Sequence, residues 1–389
     1  MKFLELIKKY WPVLVVLGIV ALGTYVRTFD YSYPYLRNID SYAFTRQIDE
    51  ISKTGFLLSN DNLALAPNGM PRTAGTDLYV YIMGYGYNFV RFFLPNYTLF
   101  QFLIWAPALL ASLMAIPMYF IGKILYDKRA GILAAFFIVF DVAIISRTLG
   151  GDPDNDGAVL LFPLIVIALF LLAYKYIGQN GFNRKGIFYT IITGIGMSLW
   201  AFVWTGFWYV IWLFAGFLII KILIKLAKNR NFIAIKELKR PIILFLAVLG
   251  LFFLITTPVL GTGEILTTLK GPFSFSDIKS EENRPFPNVY VSVAELQSGG
   301  AIKDVLERSN VFLFSFMILS LVYLAASTIL KKKDHLDTLI LLALWFVGPL
   351  IATTIGVRFS ILFAAPIAIG AAIFISKIFR IIEGEGVTE

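Results

Sequence analysis

The sequence predicts an all-α polytopic membrane protein, and three observations carry that expectation. Of 389 residues, 58% are hydrophobic and only 15% charged, where a soluble domain has roughly 45–50% and about 25%. The apolar residues gather into stretches long enough, at about 17–25 residues, to cross roughly 30 Å of hydrocarbon. Lysine and arginine crowd the gaps between alternate stretches instead of lining one face. Composition also excludes whole classes of chemistry. With no cysteine there is no disulfide framework, thiolate metal site or cysteine nucleophile, and the single histidine, His335, excludes a histidine-rich zinc site. Any metal or acid–base chemistry has to run on carboxylates.

Ten stretches read as spans: 11–29, 99–121, 129–146, 157–176, 186–203, 207–226, 241–260, 311–330, 336–354 and 358–380. An eleventh apolar stretch, 77–94, is bracketed by Asp77 and Arg91 and rich in aromatic residues, so it is expected to lie in the interface, where aromatic rings prefer to sit. Lys8-Lys9 ahead of the first apolar run reads as a retained signal anchor.

Orientation follows from charge. With the N-terminus inside, the inner segments hold 21 of the 34 Lys and Arg and net +13, while the outer face nets −4, together giving the overall +9. That asymmetry obeys the positive-inside rule. Counting 77–94 as a span would reverse it and put the basic segment 221–240 outside. The basic charge therefore describes topology, and nucleic acid is not expected as a partner.

Two segments between spans are long, 30–98 and 261–310, and both face outward in this orientation. Loops beyond about 15 residues are usually functional. In the first, Asp40–Ile51 reads as a short amphipathic helix and Asn68-Gly69-Met70-Pro71 as a turn. The second runs between glycines at 261, 263, 299 and 300 and is expected to act as a flap over the site.

Acidic residues on the outer side stand out. Asp40 follows the first span; Asp152, Asp154 and Asp156 crowd a short loop before the span 157–176; Glu295 lies in the flap. Three aspartates in five residues raise one another's pKa unless a cation sits among them, and hard oxygen donors suit Mg²⁺, Mn²⁺ or Ca²⁺. An EF-hand is excluded, because its twelfth position is Pro163 where a bidentate glutamate is needed. Arg147 in the same loop and Arg358 at the outer start of the last span supply cations at headgroup depth, suited to snorkelling or to clamping a phosphate.

At these residues the chain resembles the catalytic subunit of oligosaccharyltransferase, the single-subunit archaeal and bacterial type. Four landmarks carry the resemblance: Asn38-Ile39-Asp40-Ser41 in the first loop; Arg147, Thr148, Gly151, Asp154 and Asp156 in the second; Ser292, Val293 and Glu295 in the flap; and Arg358-Phe359-Ser360 beyond it. The resemblance implies a GT-C transmembrane fold. It also implies transfer of a glycan from a polyprenyl (di)phosphate carrier to asparagine in Asn-x-Ser/Thr on the outer membrane face, with membrane lipids as further partners. Asp40, Asp154, Asp156 and Glu295 would bind Mn²⁺ or Mg²⁺, with Asp152 supporting them. Asp40 and Glu295 would also hold the acceptor amide, and Arg358 would meet the donor diphosphate. Trp204, one of four tryptophans at 200, 204, 208 and 212, belongs to an interface belt or flanks the donor.

Relatives have thirteen spans against ten here, and a further soluble domain whose Trp-Trp-Asp signature reads the acceptor. No adjacent tryptophan pair occurs in this chain, so 1–389 is expected to be the transmembrane catalytic domain without that soluble domain. Two other classes fit less well. A different GT-C polyprenyl-phosphate-sugar transferase would not need the flap glutamate. A lipid flippase or transporter would carry charge near the bilayer midplane, which these spans lack.

Overall fold

The computed structural model describes residues 2–32, 34–64, 66–72, 75–229, 236–271, 300–330, 335–354 and 356–384. Among them the protein is almost wholly helical, as the composition predicts. We number the helices α1 (Lys2–Thr28), α2 (Ile39–Thr54), α3 (Leu78–Phe93), α4 (Leu99–Ser112), α5 (Ala115–Leu125), α6 (Lys128–Val139), α7 (Val142–Arg147) and α8 (Asp156–Asn180). They continue as α9 (Arg184–Ala201), α10 (Trp208–Asn229), α11 (Lys239–Leu260), α12 (Thr262–Leu269), α13 (Ala301–Arg308), α14 (Val311–Ile329), α15 (Leu336–Thr353) and α16 (Ala364–Ile382).

Eight segments are long and apolar enough to cross a membrane, beginning with Tyr10–Thr28 and ending with Val357–Ile382. They coincide with eight of the ten expected spans. The other two differ for local reasons. The 129–146 stretch breaks into α6 and α7 at Asp141, whose side chain accepts a hydrogen bond from Ile144 N (3.1 Å) and so starts a new helix. The 186–203 stretch is the continuous helix α9, whose mean hydropathy is diluted by Arg184 and Lys185 at its start. The 99–121 stretch is also bent, since α4 ends and α5 begins around Leu113 and Met114.

Several helix starts carry a side-chain cap. Thr98 and Gln101 form a reciprocal capping box on α4, Asp127 accepts from Ala130 N on α6, and Asn183 and Asn310 cap α9 and α14. Helices pack closely where side chains are small. A Cβ on Gly131 of α6 would lie 2.5 Å from Tyr119 O, and one on Gly122 of α5 would lie 2.8 Å from Gly131 Cα. These facing glycines let α5 and α6 approach backbone to backbone, as small residues do between membrane helices.

The first long loop folds as a cap over one end of the bundle. It contains α2, longer by a turn than the amphipathic segment expected, then a two-residue antiparallel ladder pairing Asn60 with Pro71 and Asp61 with Met70. Gly69, at φ +73°, ends the turn between the two strands, and Met70 and Pro71, expected in the turn, belong to the ladder instead. α3 forms where an interface helix is expected. It buries Tyr79, Val80, Met83 and Tyr87 and leaves Tyr85, Phe89, Phe92 and Phe93 exposed. Of the second long loop, 261–271 and 300–310 are described and contain α12 and α13; Glu295 lies outside the described residues.

Candidate carboxylate site

The ends of α1 and α7, the start of α8 and the cap converge at one end of the bundle, around residues 148–156. The loop's shape is fixed first through its backbone. Gly150 N donates to Arg27 O (2.8 Å), Gly151 N to Ile104 O (3.3 Å) and Arg37 N to Gly151 O (3.0 Å). Gly151 is needed as glycine: its φ is +76°, and a Cβ there would lie 2.1 Å from the Tyr31 ring. Two arginines bolt the loop in place. Arg27 is buried and donates from Nε to Thr148 Oγ1 (2.9 Å), from Nη1 to Gly23 O (3.0 Å) and from Nη2 to Val139 O (2.8 Å). Arg37 donates from Nε to Gly150 O (3.0 Å). Tyr79 of α3, also buried, donates its hydroxyl to Pro153 O (3.0 Å) and packs edge-on against Phe44 of α2.

The aspartates are thus presented from a rigid frame. Buried Ser41, next in sequence to Asp40, donates to Asp152 Oδ1 at 2.5 Å. Asp154 accepts from Asn155 N (2.6 Å). Arg147 Nη1 pairs with Asp156 Oδ2 at 3.3 Å, so this arginine, expected to meet substrate, is engaged by the loop itself. Burial raises the Asp152 carboxyl, and the neighbouring Asp156 charge adds to the rise. Burial also pushes Asp154 up to about 6, with the charges of Asp156, Asp152 and Asp40 contributing. Exposed Asp40, in the first turn of α2, is therefore electrostatically part of the cluster. The Tyr79 hydroxyl is raised as well, by burial and then by the same three loop aspartates.

That pattern is the signature of negative charge held without enough compensation. Hard oxygen donors under those conditions match a divalent cation in chemistry. In geometry the match is incomplete, since among the described residues no three acidic side chains converge on one point. Glu295, the fourth expected donor, lies outside the described residues.

Trp204 lines two cavities, of which the first touches the loop at Asn155. One, of about 270 Å³, is bordered by Asn155, Tyr79, Phe44, Gln47 and Asp77. The other is an apolar cleft of about 290 Å³ between α10 and α15, lined by Trp208, Trp212, Leu344, Pro349 and Phe359. Phe359 is the neighbour of Arg358, which is exposed and pairs with none of the described residues. The structure therefore gathers Asp40, Arg147, Asp152, Asp154 and Asp156, sets Trp204 beside them, and leaves Arg358 next to the cleft. No role for Arg27, Arg37, Ser41 or Tyr79 is evident from sequence. Arg27 carried a signal, a cation in the last turn of a span, but the sequence does not say that it points inward.

Comparison with known proteins adds independent information. Residues 13–383 match the family model described as oligosaccharyl transferase STT3, N-terminal. A dolichyl-phosphooligosaccharide-protein glycotransferase of Methanococcus voltae is 24% identical over 390 residues, covering 90% of this chain and 42% of the relative. An oligosaccharyltransferase of Archaeoglobus fulgidus, AglB, solved in complex with an inhibitory peptide and a dolichol-phosphate, superposes with a TM-score of 0.71. It is 17% identical and covers 98% of this chain and 53% of that one. The same organism's enzyme in complex with Zn and sulfate gives 0.70 at 17% identity, covering 95% and 50%. The chain thus spans about half the length of the relatives it matches. The likeness in fold is the GT-C architecture expected from the motifs.

Proposed function

The chain belongs to the STT3 family of oligosaccharyl transferases, and from that membership and its carboxylate loop we propose that it is the membrane half of an enzyme that N-glycosylates proteins. The donor is an oligosaccharide on a polyprenyl (di)phosphate carrier and the acceptor is asparagine in Asn-x-Ser/Thr. The cluster of Asp152, Asp154 and Asp156, fixed by Arg27 and Arg37 and short of positive charge, is the observation that carries this reading.

In this proposal Asp40, Asp154, Asp156 and Glu295 would hold Mn²⁺ or Mg²⁺, which would supply positive charge for the leaving (di)phosphate. The protein's own contribution is orientation and charge. An amide nitrogen is a poor nucleophile because its lone pair is delocalised. Asp40 and Glu295 accept from the acceptor amide and hold it turned out of conjugation, and Arg358 meets the donor phosphate. The cleft ending at Phe359 has the apolar lining a polyprenyl chain requires, and Trp204 stands where lipid and glycan would join. Asp152 supports the loop through Ser41. The N-terminus is cytoplasmic and the site faces outward, in keeping with the charge asymmetry.

The test is transfer from a lipid-linked donor to a sequon peptide, in a preparation that supplies the acceptor-reading domain of a relative. EDTA should abolish transfer, Mn²⁺ or Mg²⁺ should restore it, and Asp40→Asn should lower the rate by orders of magnitude. Near wild-type turnover in Asp40→Asn would sink these roles.

A further inference from the structure

At the end of the bundle opposite the aspartates, the last turns of α8 and α10 and the start of α11 enclose a cavity of about 540 Å³. Tyr174, on its wall, lies 18 residues along α8 from Asp156, or about 27 Å at the helical rise. This cavity has no part in the proposed transfer. Its lining carries five cations, Lys175, Lys221, Lys225, Lys236 and Arg240, against one anion, Glu237.

The counterions do not exhaust the cations. Lys221 pairs with Asp337 (2.6 Å), and Lys225 pairs with Glu237. Arg240 donates from Nη1 to Gly178 O (2.8 Å), which orients the guanidinium over the end of α8 but leaves its charge uncompensated. Lys175 and Lys236 are exposed and engage none of the described residues. Three like charges, one from α8 and two from the segment 236–240 that opens α11, therefore share one concavity, where their mutual repulsion needs an anion. The wall beneath them is apolar or aromatic, with Tyr174, Leu238 and Pro241. Helix ends flanked by basic side chains over an apolar wall match the two-part chemistry of a charged headgroup on an acyl chain.

We infer that this cavity binds a phosphate-bearing anion, with Lys175, Lys236 and Arg240 as the ligating cations. The arrangement suits the headgroup of an anionic phospholipid and would also admit free phosphate; both present the same oxygens. A headgroup lodged there ties α8, α10 and α11 together at the end remote from the chemistry.

Thermal unfolding of the purified chain in detergent tests this without reference to transfer activity. The probes are phosphatidylglycerol, phosphatidylcholine and inorganic phosphate. Phosphatidylglycerol is expected to raise Tm by several degrees, and Lys236→Gln/Arg240→Gln to raise its half-saturating concentration about tenfold or more. The control Lys228→Gln/Lys239→Gln removes the same charge from flanking positions outside the lining and should change it by under threefold. A response to phosphatidylglycerol alone identifies the lipid as the source, and an equal response to inorganic phosphate identifies the free anion. Equal effects of both double variants, or equal stabilisation by phosphatidylcholine, would overturn the inference.

Discussion

Two groups of buried or half-buried acids at the same end of the molecule are treated in opposite ways. In the cap, Arg72 donates to both oxygens of Glu50 (3.1 and 2.9 Å) and to Asp61 (3.0 Å), while Arg46 pairs with both oxygens of Asp61. The hydrogen bond from Arg72 holds Glu50 below its usual carboxylate range. Burial opposes ionisation of Asp61, but Arg46 and Arg72 outweigh it and Asp61 also lies low. In the 148–156 loop, three aspartates have one paired arginine, Arg147, and Asp152 and Asp154 are raised. The cap's charges are closed among themselves and hold structure. The loop's charges are left open, which suits a site that receives a cation from outside.

This contrast can be broken by substitution. Asp154→Asn should lower transfer about a thousandfold, the scale of losing one charged group at a transition state, while Tm measured in EDTA stays level or rises. A parallel collapse of Tm would make the loop structural like the cap. Arg72→Met should do the reverse. It strands Glu50 and leaves Asp61 to Arg46 alone, and should destabilise the chain by about 1–3 kcal/mol, the cost of unpairing a charged hydrogen-bonded group; chemical unfolding would register it. Arg27→Met removes three donors and should cost about 2–4 kcal/mol. It should also raise the metal concentration for half-maximal transfer, which a purely structural arginine would leave alone. The smallest effect is on pH. Glu50 and Asp61 are depressed in the folded state, so their stabilisation is present above about pH 4–4.5 and is lost as pH falls through their folded values. Tm should therefore decline more steeply below about pH 4 in the wild type than in Arg72→Met, and equal slopes would count against the network.

Much of this was legible from the chain itself. Spans show because hydrocarbon selects for length and apolarity, so eight of the ten ranges reappear as long apolar helices. The break at Asp141 is less visible, since one capping aspartate weighs little against an apolar window. The three loop aspartates announce themselves by spacing alone. What could not be read is the frame that makes them a site. Arg27 and Thr148 are 121 positions apart, and Tyr79 reaches Pro153 across 74; such contacts depend on tertiary packing and leave no local pattern. The sequence likewise gives no hint that Arg147 turns back onto Asp156, because both snorkelling and pairing satisfy an arginine at that depth.

The buried Arg27 also sets an order of events during synthesis. It belongs to the first helix made, yet its three acceptors include Val139 O and Thr148 Oγ1, which follow more than a hundred residues later. A membrane-inserted α1 offers Arg27 only its own Gly23 O, and the other two acceptors arrive when α6 and α7 join it. The aspartate loop acquires its shape only when those contacts form, so its maturation reports that the first two fifths of the chain have been assembled correctly.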